Sequence, residues 1–141
     1  MSVVVLGLDV GTVRIGVAIS EGGDLPAMPL ATIEQPSRAK AIGEIIRMAA
    51  ERRATTLVVG YPLTLAGERG PAATKMDAFI ADLRKAFDGE VTTADERLTS
   101  AAASKRMRDS GLSGSKRRRL VDRIAAVEIL DGWLARRKGH S

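Results

Sequence analysis

The chain opens on an apolar run, Val3, Val4, Val5, Leu6 and Leu8, that closes on a carboxylate, Asp9, and predicts a strand over 3–9. In the next stretch, "VRIGVAIS", Val13, Ile15, Val17 and Ile19 alternate with Arg14, Gly16, Ala18 and Ser20. That period of two predicts a second strand, with Gly11 and Thr12 forming the turn between them. A third strand near Leu25 to Ile33 carries Pro26 and Pro29, which places it at a sheet edge, because proline cannot donate to a ladder. The spacing then lengthens: Ser37 caps a helix running to about Arg53, with Ile42, Ile45, Ile46 and Ala49 on one face.

"TTLVVG", Thr55 to Gly60, is a short continuous apolar run ahead of the loop "YPLTLAGERG", the signature of an interior parallel strand. Pro71 suits the first turn of a helix whose Ala72, Met76, Phe79, Ile80, Leu83 and Phe87 share a face. Val91 to Ala94 predicts a further strand, and Thr99 caps a helix through about Arg108. "DSGLSGS" reads as a link, and Lys116 to Arg137 as the last helix. An antiparallel start followed by strand, helix, strand, helix is a mixed α/β layout with helices on both faces.

In such sheets ligands gather at the carboxyl ends of the parallel strands. Asp9 ends the first strand, Gly60, Tyr61 and Pro62 end the fourth, and Asp95 with Glu96 ends the fifth. At about 100° per residue, Asp122 on the last helix shares a stripe with Ala126, Ile129 and Trp133. A carboxylate buried there without compensation would lose several kcal/mol, roughly, to desolvation. Each acid has a plain structural reading: a salt bridge to an arginine for Asp122, pairing with Arg97 or simple exposure for Glu96, a capped turn for Asp9. Taken together, Asp9, Glu96 and Asp122 form a set of hard oxygen ligands that suits Mg²⁺ or Mn²⁺ rather than zinc. Two such ions, with substrate bound, activate water for in-line attack on a phosphodiester and stabilise the departing oxygen. Gly11 would then let backbone approach the ligand, and Arg14 would face the developing anion.

Composition narrows the choice. A chain of 141 residues is one ordinary domain by length, expected over 1–138 with a tail at 139–141. With no cysteine and one histidine, His140, thiolate and imidazole chemistry is excluded. No membrane span or signal peptide is legible, so a cytoplasmic location is expected. The net charge of +5 favours a polyanionic partner, and "SGSKRRRLVDR" concentrates Lys116, Arg117, Arg118, Arg119 and Arg123. Aromatic residues make up only 3%, too few for rows of stacking side chains, so phosphate contacts are expected to dominate.

"DVGTVRIGVA", "VVGYPLTLAGERG", "DERLTS" and "VDRIAAVEIL", in this order and spacing, resemble the YqgF/RuvX family of RNase H-like pre-16S rRNA nucleases and Holliday junction resolvases. The resemblance spans Val3 to about Leu134 and implies a five-stranded mixed sheet in the order 3-2-1-4-5. It also implies a metal-dependent phosphodiesterase site, with the acidic triad on Asp9, Glu96 and Asp122. Arg14, Gly60, Pro62 and Arg97 would shape that site. The implied partner is nucleic acid, either pre-16S rRNA or branched DNA, met by a monomer or a homodimer.

Two departures stand out: relatives often read Pro-Leu-Asn-Met-Asp-Gly where this chain has Pro62-Leu63-Thr64-Leu65-Ala66-Gly67. Junction resolvases of this fold also carry a fourth acid one turn after the helical aspartate, where this chain offers Ala125 and Ala126. A phosphotransferase of the actin and sugar-kinase type is the first rival, disfavoured by the lack of a second Asp-Gly loop. The other is a nucleic-acid binder without catalysis, which has no reason to place carboxylates where its ligand lies.

Overall fold

The structure is a computed structural model and describes residues 3–11, 13–22, 25–34, 37–62, 70–95 and 114–139. Val4–Val10 (β1) runs antiparallel to Arg14–Ser20 (β2), and β2 antiparallel to Met28–Glu34 (β3). On its other side β1 pairs in parallel with Ala54–Tyr61 (β4), which pairs in parallel with Glu90–Asp95 (β5). The sheet order is β3-β2-β1-β4-β5, the order the family resemblance implies. β3 lies at the edge as its prolines require, although it starts at Met28 rather than Leu25. Pro29 sits opposite Ala18, where the β2–β3 register shifts, the kind of irregularity at which a ladder tolerates proline.

Arg38–Arg52 (α1) begins where the Ser37 side-chain oxygen accepts from the Lys40 backbone N–H at 3.2 Å, and it ends at Arg53 with φ 58°. Pro71–Ala86 (α2) starts at the proline. Its buried face is Ala73, Met76, Phe79, Ile80 and Leu83. Ala73 therefore replaces Ala72, which faces solvent beside Pro71 in the exposed first turn. Ser115–Gly139 (α3) is the last helix. The helix expected from Thr99 to Arg108 and the link at 109–113 lie outside the described residues.

Strand alternation sorts the core into two layers. Leu6, Leu8, Ile15, Val17, Ile19, Leu57 and Val59 point to the face covered by α1 and α2. The opposite face carries Val5, Ala18, Val58 and Ala94, which pack against Ala125, Ala126, Ile129 and Leu130 of α3. Alanines on both sides of that layer, with Gly7 and Gly16 on the sheet, let a single helix lie close against the strands. At Gly7 an added Cβ would come within 2.7 Å of Leu130 Cβ, closer than real side chains approach. This intimate seat fixes where α3 crosses the strands and hence where its polar residues land. Among the described residues, no helix is long and apolar enough to cross a membrane.

Candidate active site at the carboxyl end of the sheet

Asp9 is the penultimate residue of β1 and is fully buried. Two-residue alternation puts it on the same face as Val5 and Gly7, under α3. Its neighbour across the strand pair is Gly16. A Cβ built on Gly16 would overlap the backbone carbonyl of Asp122, so the helix backbone rests on the very residue that flanks Asp9. Asp122 is itself 1% exposed. Arg14 lies two residues before Gly16 on the same face of β2, and its Nε donates to Asp122 Oδ2 at 2.8 Å across 108 positions of sequence. The Arg14–Asp122 pair thus lies over Gly16, the cross-strand neighbour of Asp9, at the carboxyl end of β1, held by a hairpin and one helix.

The other site residues named from sequence are placed unevenly. Glu96 and Arg97 lie outside the described residues, as does the Thr64-Leu65-Ala66 departure. Ala94, which precedes Glu96 by two positions, packs on the α3 face. Gly60 lies in β4 as the strand reading has it, opposite Ala94, and the strand runs one residue further to Tyr61, which the sequence reading assigns to the loop and which lies opposite Asp95. Tyr61 packs on the face of α1 and α2, and its hydroxyl donates to Asp77 Oδ1 at 2.7 Å, so alternation turns it away from Asp9. Pro62 follows the strand directly. The Gly11 N–H donates to the Arg14 carbonyl at 2.9 Å, and a Cβ there would come within 2.8 Å of that oxygen. The tight turn alone accounts for this glycine.

The basic segment divides in two. Lys116, Arg117 and Arg118 are exposed at the start of α3. Arg119 is engaged with the edge strand: its Nη2 lies 2.7 Å and its Nε 3.0 Å from Glu34 Oε1, and its carbonyl accepts from Thr32 Oγ1 at 2.9 Å. Sequence reading assigns Arg119 to nucleic acid, whereas here it docks the helix onto β3. Arg123 is partly buried and donates to the Arg119 carbonyl at 3.4 Å. At a 1.5 Å rise per residue, Lys116 to Arg118 stand roughly 6 to 9 Å along the helix axis from Asp122.

Sequence reading missed two contributors, Gly16 and the Arg14–Asp122 pair. The signal for both was the small-residue row Gly16 and Ala18 on the Arg14 side of β2, which requires a closely seated helix. The described donor set is all carboxylate oxygen, which fits a hard divalent ion. Among the described residues no group of three such ligands forms, so Asp9 and Asp122 need a further acid to complete a cage.

A 3-2-1-4-5 mixed sheet with helices on both faces, a buried carboxylate at the end of its central strand and a second on the helix that crosses it defines an RNase H-like domain. The chain belongs to the RuvX family: a family model described as "RuvX: Holliday junction resolvase" matches residues 3–136. A Chloroflexus aurantiacus protein named "Putative pre-16S rRNA nuclease" is 42% identical over 137 residues, covering 97% of this chain and 90% of that one. A Nocardia farcinica protein of the same name is 40% identical over 139 residues, covering 94% and 77%. In fold, the chain is similar to Thermus thermophilus RuvC in complex with a Holliday junction substrate, with TM-score 0.58 and 15% identity over 99% of this chain and 98% of that one. The fowlpox virus Holliday junction resolvase is similar at TM-score 0.51 and 14% identity over 96% and 99%.

Proposed function

We propose that the protein is a divalent-metal-dependent nuclease that hydrolyses phosphodiester bonds, with the 5′ end of precursor 16S ribosomal RNA as its substrate. The observation that carries this reading is that Asp9 and Asp122, both buried, are brought to one end of the sheet by the contact of α3 with Gly16, the cross-strand neighbour of Asp9. Burying two carboxylates under one helix is costly even with Arg14 beside Asp122, and a divalent cation held there would offset that cost. The family membership and the relatives named as pre-16S rRNA nucleases support the substrate class.

Asp9 and Asp122, with Glu96 as the third acid, would hold Mg²⁺ or Mn²⁺. Bound there, the metal supplies a water of lowered pKa and a counter-charge for the leaving oxygen. The chain supplies the rest. Helix α3 shields both carboxylates from bulk water, which strengthens every electrostatic contact between them and a ligand. Arg14, 16% exposed, stands at the rim of the same site, where a guanidinium can donate to a phosphate oxygen. Lys116, Arg117 and Arg118 hold the flanking backbone without reading sequence.

The test is cleavage of a labelled precursor rRNA end and of a four-way DNA junction, in Mn²⁺ or Mg²⁺, by wild type, Asp9→Asn and Asp122→Asn. Cleavage by wild type alone is expected, and equal product from all three would end the catalytic assignment. The family description favours junction DNA as a second reading, and the same assay separates the two by which substrate is cut.

A further inference from the structure

We propose that Arg14 is the resident counter-cation of the site, holding Asp122 until a divalent ion and a phosphate arrive together, so that metal affinity is coupled to substrate binding. The inference rests on the nuclease reading above. Its basis is that Arg14 Nε contacts Asp122 Oδ2 at 2.8 Å with the carboxylate 1% exposed and the guanidinium 16% exposed. The Asp122 backbone is seated on Gly16, which limits how far its carboxylate can shift to meet a ligand. Arg14 is freer to shift, because its side chain reaches the solvent rim and its own strand position is set independently by the β2–β3 ladder, where it lies opposite Glu34.

Charge decides the direction. A divalent ion entering beside Asp9 and Asp122 would meet a positive charge already bound to one of these acids, and repulsion between the cations would hold its affinity down. A phosphate diester offsets that repulsion, because its negative charge attracts both cations. It offers the guanidinium a second anion with matching fork geometry, so Arg14 would exchange carboxylate for phosphate and leave the Asp122 carboxylate available to hold a divalent ion. Arg14 therefore acts as a positioning residue that makes a loaded site costly without substrate and favourable with it.

The test uses the full chain and titrates Mn²⁺ by calorimetry, with and without a short phosphorothioate RNA. Arg14→Gln is expected to bind Mn²⁺ about tenfold or more tightly than wild type when RNA is absent, and the gap should close when RNA is present. Arg14→Lys, which keeps the charge, should stay near wild type. In wild type the Arg14 Nε–H resonance should shift when Mg²⁺ and RNA are added together, a readout that does not depend on any variant folding. Unchanged or weaker Mn²⁺ affinity in a folded Arg14→Gln, or an Arg14 resonance that stays put at saturation, overturns the counter-cation role and leaves the nuclease reading intact. Absence of Mn²⁺ binding in every form, with RNA or without, overturns both.

Discussion

Gly16 and Asp122 touch backbone to backbone: the helix carbonyl occupies the space where a side chain at Gly16 would begin. Everything that makes the site follows from that contact, because it brings a residue of α3 beside the cross-strand neighbour of Asp9. Gly16→Ala should lift the helix from β2. Overpacking costs about 1 to 3 kcal/mol in typical cores, and the upper end is expected here because the obstacle is main chain rather than a flexible side chain. Urea denaturation should show a lowered midpoint, and Mn²⁺ titration a weakened affinity as Asp122 is displaced. An unmoved midpoint would mean that the helix is not seated there.

The two arginine–carboxylate pairs that α3 makes with the sheet should differ in worth. Arg14–Asp122 is largely buried, and removing one partner strands the other, so Arg14→Met should cost about 3 to 5 kcal/mol in the metal-free protein. Arg119–Glu34 is about half exposed at both ends, and Arg119→Met should cost at most about 1 kcal/mol, less at high salt. Double-mutant cycles on the two pairs check the ordering.

Much of this was legible in the sequence because it is local. The alternation in "VRIGVAIS" predicted β2 and its two faces, Ser37 and Arg53 bracketed α1, and the stripe from Asp122 to Trp133 predicted the buried side of α3. The pairing of Arg14 with Asp122 was not, since partners 108 positions apart leave no periodic trace. A salt bridge to some arginine was the plain alternative for Asp122, set beside a divalent ion, and only the seating of α3 on Gly16 selects Arg14. Tyr61 was misread for a different reason: the strand runs one residue beyond its apolar core, and one residue reverses the face. Arg119 sat in a run of identical charges, which hides the member that has a structural partner.

Divalent metal should stabilise the fold by mass action, because Asp9 and Asp122 are close together only in the native state. At a concentration a hundredfold above its dissociation constant, Mn²⁺ should add about 2.7 kcal/mol, seen as a raised melting temperature. Asp9→Asn and Asp122→Asn should lose most of that increment. Asp122→Asn should also start from a lower temperature without metal, because it leaves Arg14 facing a neutral amide. A metal-induced rise of equal size in all three proteins would place the ion elsewhere.

The exposed cations at the start of α3 should act on affinity and not on metal. Neutralising Lys116, Arg117 and Arg118 together removes charge roughly 6 to 9 Å from Asp122 along the helix. For each phosphate that the protein then leaves unneutralised, the slope of log affinity against log salt should flatten by about 0.7 on a single strand or 0.9 on a duplex. Arg119→Gln alone should leave the slope nearly unchanged, because its guanidinium is engaged with Glu34. Filter binding across a salt series, run beside Mn²⁺ calorimetry on the same variants, separates the two effects. A slope that depends on Arg119 as strongly as on its three neighbours would show that nucleic acid displaces Glu34 and that the docking contact opens on binding.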